Sequence, residues 1–233
     1  MKAFLLAAGI GSRLRPITDT VPKCMVEIDR SPLMEIWLEA FNRAGVDEVL
    51  VNLHHLPHVV REYLAGRSGP PAVRTVYETE LLGSAGTLVA NRQWVDGEDF
   101  FLACNADNLT DFDLLELVEA HGRGGVVATL TVFHAENPSA GGVVELDNSE
   151  RVIGFAEKPT HPVSDLVNAG MYAFSPGLLD EITETPPADI GYHLLPRLVG
   201  RARAVPVTGY FRDIGTLDAY HRARKEWPER IVR

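Results

Sequence analysis

The chain has 233 residues, 45% of them hydrophobic and 23% charged, with a formal net charge of −10 from 32 acidic and 22 basic residues. That composition fits one α/β unit large enough to bury a core and argues against a disordered segment. An acidic field of this sign repels nucleic acid, so general polyanion binding is excluded and any phosphate chemistry must use locally concentrated positive charge.

No run approaches the roughly 18 apolar residues of a membrane span. The short apolar stretch after Lys2 meets Arg13 and Arg15 too soon to read as a secretory leader. Two cysteines, Cys24 and Cys104, make no disulfide framework, and the expectation is a reduced, cytoplasmic protein.

In chain order, residues 2–7 form an apolar run ending in glycines, which predicts a buried strand, followed by a long loop to about Pro22. Ser31 predicts a helix cap with Pro32 in the first turn, and apolar positions from Leu33 to Ala44 recur at helical spacing until Gly45. Strands are expected at 48–53, 72–77 and 99–104, with helices at 57–64, 84–94 and 112–121, the last after a cap-like Thr110-Asp111. Asp111 and Asp113 read as helix-start residues. Strand–helix alternation implies a parallel sheet whose ligands lie at the carboxyl ends of the strands. The second half is richer in strands, at 126–133, 142–146, 152–156, 170–175 and 202–208, with a hairpin turn at 147–150 and a final helix at 217–227. The terminal run 222–233 reads as a solvated helix and tail, and no repeat, linker or appended domain is expected.

The first strand leads into L-A-A-G-x-G-S-R-L-R-P-x-T-x-x-x-P-K, residues 6–23. Glycines let backbone N–H groups turn toward an anion, Arg13 can fork onto phosphate oxygens, and Lys23 can act as a movable charge. The third glycine of a dinucleotide fingerprint is replaced by Leu14, and Walker spacing is absent.

This run resembles the signature of sugar-1-phosphate nucleotidyltransferases, closest to mannose- and heptose-1-phosphate guanylyltransferase-like members, and later segments match in order. The resemblance implies a Rossmann-like three-layer α/β/α fold with a mixed, mostly parallel sheet and a small strand-rich sugar-binding lobe. It implies one catalytic domain over 1–233, with a nucleotide-binding half (about 1–125) and a sugar-phosphate half (about 126–233).

By resemblance, Leu6, Ala8, Gly9, Gly11, Ser12, Arg13, Lys23, Gly83 and Ser84 contact nucleotide. Asn108, Gly142, Glu157, Lys158 and Asn168 contact the sugar phosphate. Asp107 and Asp213 hold Mg²⁺, although Ala106 stands where the family usually has glycine. Arg13, Lys23, Asp107 and Lys158 are the expected catalytic set. Arg13, Arg15, Lys23 and Lys158 are expected to make a small positive pocket. The substrates implied are a nucleoside triphosphate and a sugar 1-phosphate, with GTP and a mannose- or heptose-type sugar favoured and UTP or dTTP left open. Nucleic acid and membrane are not expected partners, and a homo-oligomer is compatible.

A phosphocholine-type cytidylyltransferase shares the glycine loop but not the sugar-type Glu157-Lys158-Pro159. An inactive sensor of the same fold would not need Arg13, Lys23, Asp107 and Asp213. His54, His55 and His58 lack the helix context of a zinc motif and read as structural or substrate-edge residues. His193 stands roughly where relatives often carry an acid, either a specificity change near the sugar or drift in a helix cap.

Overall fold

The computed structural model describes residues 1–227. In chain order the elements are β1 (Lys2–Leu6), β2 (Glu27–Ile28), β3 (Ser31–Pro32), α1 (Leu33–Arg43), β4 (Glu48–Leu53), α2 (Pro57–Gly66), β5 (Ala72–Tyr77) and α3 (Ser84–Ala90). There follow β6 (Phe101–Asn105), β7 (Asn108–Thr110), α4 (Leu114–Gly122), β8 (Ala128–His134), β9 (Gly142–Leu146), β10 (Val152–Glu157), β11 (Leu166–Phe174), β12 (Ala202–Pro206), β13 (Phe211–Asp213) and α5 (Leu217–Glu226). Short 3₁₀ turns fill the loop after β1, at Ser12–Leu14, Ile17–Asp19 and Lys23–Met25.

Seven strands form the main sheet in the order β5-β4-β1-β6-β11-β8-β12, and only β11 runs against the others. The hairpin β9–β10 joins the far end of β11 through Val167↔Val143, giving a nine-stranded sheet drawn from both halves of the chain. Alternation along each strand divides the core. Ala3 and Leu5 of β1 face α1, α4 and α5, whereas Phe4 faces α3 and the irregular segments near 176–198. Cys104 and Met171 share the first cluster, Ala103 and Tyr172 the second. The outcome is the mixed, mostly parallel sheet between helical layers that the sequence predicts.

Several boundaries differ, each for a local reason. Ser31 does not cap α1. Ser31–Pro32 pairs with Glu27–Ile28 instead, and the Leu33 N–H donates to the Val26 carbonyl at 3.0 Å. The first strand stops at Leu6 because the Ala7 N–H donates to the Asn52 side chain at 2.7 Å. The helix expected at 84–94 breaks at Asn91, whose side chain donates to the Thr87 carbonyl at 2.8 Å, and a 3₁₀ turn follows at Arg92–Val95.

The cap of α4 is Asp113, which accepts from the Leu115 N–H at 3.0 Å. Thr110 belongs to β7, and Asp111 accepts from the Tyr210 N–H, so Asp111 ties the β7–β13 region together rather than starting a helix. Strand β6 is shifted toward Asn105 and β8 toward His134 relative to expectation. β11 starts four residues earlier than predicted, because a register shift between Asn168 and Tyr172 hides its first part from simple alternation. β12 ends at Pro206. Of the predicted terminal run, residues 228–233 lie outside the described residues.

Phe41 is fully buried in α1 and lies 5.8 Å from Trp37 between ring centroids. Phe41→Ala removes most of that packing and is expected to lower unfolding free energy by about 3–5 kcal/mol, read from urea denaturation.

Candidate active site

The parallel strands β1, β4, β5 and β6 end at one edge of the sheet, where open α/β sheets bind ligands. Two adjoining cavities of about 470 Å³ and 530 Å³ open there. They share Asn105, Asp107, Glu157, Lys158 and Asn168. Leu6, Ala8, Gly9, Gly83 and Ser84 line the first cavity. Arg13, Asn108, Gly142 and Asp213 line the second. Lys23 reaches the same region from below, in a small recess with Gly9 and Asp107. Gly11 and Ser12 line neither cavity and form the loop beside them.

The floor of the first cavity is a buried polar network that sequence reasoning missed. Asn52, Glu78 and Thr87 are at most 4% exposed. The Glu78 carboxylate accepts from Asn52 Nδ2 at 2.8 Å, from the Leu82 N–H at 3.1 Å and from the Thr87 hydroxyl. Three donors satisfy a buried carboxylate that has no ionic partner among the described residues, which is the condition for burying one at all. The only signals in the sequence were a polar residue inside the apolar β4 and an acid just after β5.

Gly83 belongs to the wall. Its φ is +76°, and a Cβ there would stand 2.3 Å from the Ala188 carbonyl oxygen. No side chain fits, because the Ala85 and Gly86 N–H groups both donate to that same oxygen, at 3.0 and 3.1 Å. Ser84 Oγ accepts from the Ile190 N–H at 2.8 Å, fastening the start of α3 to the same segment.

The second cavity holds the charge cluster. Pro22 begins the 3₁₀ turn that carries Lys23, and the Met25 N–H donates to the Pro22 carbonyl at 2.8 Å. Lys23 Nζ donates to Asp107 Oδ2 at 2.6 Å and lies 3.6 Å from Asp213 Oδ1. Asp213 reaches this point because β13 pairs with β7, opposing Asp213 to Asn108, while the Ile214 N–H donates to the Asp107 carbonyl at 2.8 Å. A point beside Gly215 lies about 3 Å from both an Asp213 oxygen (3.0 Å) and Arg13 Nη2 (3.1 Å), so Arg13 and Asp213 are neighbours. Burial, and then the Asp107 carboxylate, push the Asp213 pKa up, while Lys23 and Arg13 oppose the shift.

The all-oxygen donor set of the two carboxylates suits Mg²⁺ completed by phosphate oxygens and water. Among the described residues no third Asp, Glu, His or Cys joins them.

A uniformly positive pocket is not what forms. Arg15 lies outside the cavities, paired with Asp19 at 3.1 Å. The cavity walls carry Glu78, Asp107, Glu157, Asp189 and Asp213 against Arg13 and Lys158, with Lys23 beneath. Acids outnumber cations on these walls.

At the other wall, Glu157 ends β10 with its side chain 14% exposed and 3.9 Å from Lys158 Nζ. Burial, and then Asp189, raise the Glu157 pKa, and Lys158 opposes them. Lys158 Nζ also lies 5.8 Å above the Tyr192 ring. Asn168 Nδ2 donates to the Tyr172 hydroxyl at 2.7 Å, and its Oδ1 accepts from the Gly170 N–H at 3.1 Å, so its orientation is set by the bend in β11. Asn108 Nδ2 donates to the Ala169 carbonyl at 2.8 Å, which ties it to the same bend.

His193 closes a π-helical turn at Ile190–Leu194, its Nδ1 accepting from the Asp189 N–H at 2.8 Å. The histidines after β4 do not gather on a metal. His54 pairs with the Glu78 carbonyl and His55 with the Thr18 carbonyl. Cys24 and Cys104 are buried free thiols, and burial pushes Cys24 up to about 12.

A glycine loop, a lysine between two aspartates and a Glu-Lys pair meet at the carboxyl edge of this sheet. The model of the nucleotidyl transferase family matches residues 2–230, and the chain belongs to that family. It is 35% identical over 224 residues to the mannose-1-phosphate guanylyltransferase catalytic subunit beta of Danio rerio, covering 92% of this chain and 61% of that protein. It is likewise 35% identical over 243 residues to the UTP–glucose-1-phosphate uridylyltransferase of Synechocystis, covering 96% and 62%. The chain thus spans about three fifths of the length of the curated relatives it matches. A solved UDP-glucose pyrophosphorylase complexed with UDP-glucose shares the fold, with a TM-score of 0.86 at 21% identity over 98% of both chains.

Glu157 supplies a test by titration. Its carboxyl has a raised pKa in the folded chain, so the folded state binds the proton more tightly than the unfolded state. Stability therefore falls as pH rises from the ordinary carboxylate range through the raised value. Glu157→Gln removes that penalty. The variant is expected to melt higher than the parent at pH 7 and to lose the advantage below the ordinary carboxylate range, read as melting temperature against pH.

Proposed function

We propose that the chain transfers a nucleotidyl group from a nucleoside triphosphate to a sugar 1-phosphate, giving a nucleotide-diphospho-sugar and pyrophosphate. The observation that carries this reading is Lys23 held 2.6 Å from Asp107 and 3.6 Å from Asp213 at the foot of the glycine loop, in a member of the nucleotidyl transferase family.

The triphosphate lies along the glycine loop. The base contacts Leu6, Ala8, Gly83 and Ser84 in the first cavity, and Arg13 with the amides of Gly9, Gly11 and Ser12 receives the leaving pyrophosphate. Lys23 faces the α-phosphate and offsets charge that grows there as the bond forms. The sugar 1-phosphate occupies the second cavity, its hydroxyls toward Gly142, Glu157 and Asn168 with Asn108 behind them, and Lys158 steers the phosphate. That phosphate is already ionised at pH 7, so no general base is needed. Asp107 and Asp213 would hold Mg²⁺, which when bound would supply charge neutralisation at phosphate oxygens.

We read the base as guanine and the sugar as mannose- or heptose-type. The guanylyltransferase relative supports this. UTP is the second reading, favoured by the equally similar uridylyltransferase. The two halves of the sequence then act as one catalytic domain, about 1–125 for nucleotide and about 126–233 for sugar phosphate. Two free buried thiols and these substrates fit a cytoplasmic setting.

The deciding assay is pyrophosphate release from five nucleoside triphosphates, each with a set of sugar 1-phosphates and with phosphocholine. Release with GTP and a mannose- or heptose-type acceptor is expected, and silence with every sugar pair refutes the reading. Lys23→Ala is expected to lower turnover by about 10²–10³-fold while nucleotide affinity changes far less. Equal losses in both, from pre-steady-state turnover and equilibrium binding, would remove Lys23 from the transition state.

A further inference from the structure

We infer that Thr18 and His55 are positioning residues that hold the glycine loop open as a phosphate cradle, a role that rests on the transfer reading above. Neither side chain lines the cavities, so whatever they contribute passes through the loop.

The Gly11 carbonyl oxygen accepts two hydrogen bonds, from the Leu14 N–H at 2.9 Å and from the Thr18 hydroxyl at 2.8 Å. A carbonyl oxygen has two lone pairs, so it is fully engaged. Both donors sit on the inner side of the loop, Leu14 being fully buried and Thr18 only 1% exposed. The Gly11–Ser12 peptide is trans, and in a trans peptide the C=O and the following N–H point to opposite sides. Tying the Gly11 carbonyl inward therefore turns the Ser12 N–H outward, where the loop is exposed. Among the described residues that amide donates to no protein acceptor. It is presented to an anion of the phosphate class before one arrives.

Thr18 is itself anchored. Its carbonyl lies 2.7 Å from His55 Nε2. A carbonyl can only accept, so Nε2 carries the proton and the tautomer is fixed. His55 follows β4 by two residues, so a continuous line of contacts runs from the sheet through His55 and Thr18 to Gly11 and the Ser12 amide.

Packing reinforces the polar links. Gly11 has φ +68°, and a Cβ there would stand 3.0 Å from Thr18 Cγ2 and 3.3 Å from Lys23 Cβ. The loop thus rests on the threonine methyl and on the stem of the lysine that faces the aspartates. One support fixes the amide and the ammonium relative to each other.

The test uses the full chain, inorganic pyrophosphate and two variants of one residue. Thr18→Val keeps the shape and removes the hydroxyl, whereas Thr18→Ser keeps the hydroxyl. Thr18→Val is expected to weaken pyrophosphate binding by about 10-fold in calorimetry and to raise the KM for triphosphate similarly. The KM for sugar 1-phosphate should stay nearly constant, and Thr18→Ser should recover most of the loss. His55→Ala should reproduce the valine pattern, and His55→Gln, which retains a donor, should soften it.

A parent chain that binds pyrophosphate with Thr18→Val binding it equally well overturns the positioning role alone. Equal rises in both KM values with no recovery in Thr18→Ser overturn it too, since that pattern reports general loosening. A parent chain that binds neither pyrophosphate nor any triphosphate overturns the transfer reading, and the inference falls with it.

Discussion

The strand on which both halves of the cleft depend is β11. Its later residues, Met171 to Phe174, pair with β6 on one edge, while the other edge pairs with β8. Its earlier part reaches β9 through Val167. One antiparallel strand thereby joins the parallel strands behind the glycine loop to the hairpin that carries Glu157. The register shift between Asn168 and Tyr172 is the price of that double duty: it bends the strand so that Asn168 enters the cleft while Met171 and Tyr172 pack into opposite cores. Gly170 sits in the bend with φ +75°. Because Met171 pairs with Cys104, and Asp107 follows only three residues later, the same pairing sets the distance between Asn168 and Asp107 across the cleft.

The acidity of the chain takes a specific form at this site. With a net charge of −10, a concentrated cationic pocket is the simple way to attract phosphates. The cleft instead places carboxylates beside each cation and neutralises them singly. Glu78 is held by three hydrogen-bond donors, Asp107 by Lys23, and Asp213 by Lys23 and Arg13. Burial raises the pKa of both Asp213 and Glu157, so compensation is incomplete at each. An arrangement of this kind binds phosphate by local donors rather than by a broad field, which suits a small polyanionic substrate and disfavours a long one.

Much of this was legible in the chain. The strands Glu48–Leu53, Ala72–Tyr77 and Gly142–Leu146 fall where apolar runs meet turn residues, because such strands are specified by their own neighbours. Leu6, Ala8, Gly9, Arg13, Asp107, Glu157 and Lys158 line the two adjoining cavities, while Gly11 and Ser12 lie beside them. What stayed hidden was non-local. β7 and β13 have three residues each and exist only because they pair across about 100 positions of sequence. Glu78 is an acid just after a strand, and its burial depends on Asn52, Thr87 and Leu82 around it. Ser31 has the chemistry of a cap, and a two-residue hairpin outcompetes it. In each case the deciding partner is distant in sequence or contributes only backbone, and neither leaves a pattern in the side chains.

The two cavities are also mechanically continuous, and that bears on how a transfer between two substrates is organised. Residues 82–86, in the wall of the first cavity, are bonded to residues 188–190 through the Ala188 carbonyl, the Ala188 N–H and the Ser84 hydroxyl. The π turn that follows brings Gly191 so close to Glu157 that a Cβ there would stand 2.4 Å from Oε2. A displacement of residues 82–86 therefore cannot leave the Glu157 carboxylate where it was, since close-packed groups transmit shifts of this size rather than absorb them. In-line transfer requires attacking and leaving oxygens to be fixed relative to one phosphorus, and tolerance for misplacement is small. Joining the walls through backbone hydrogen bonds, rather than through long side chains, gives the two cavities a common frame at little cost in side-chain entropy, as the proposed transfer would require.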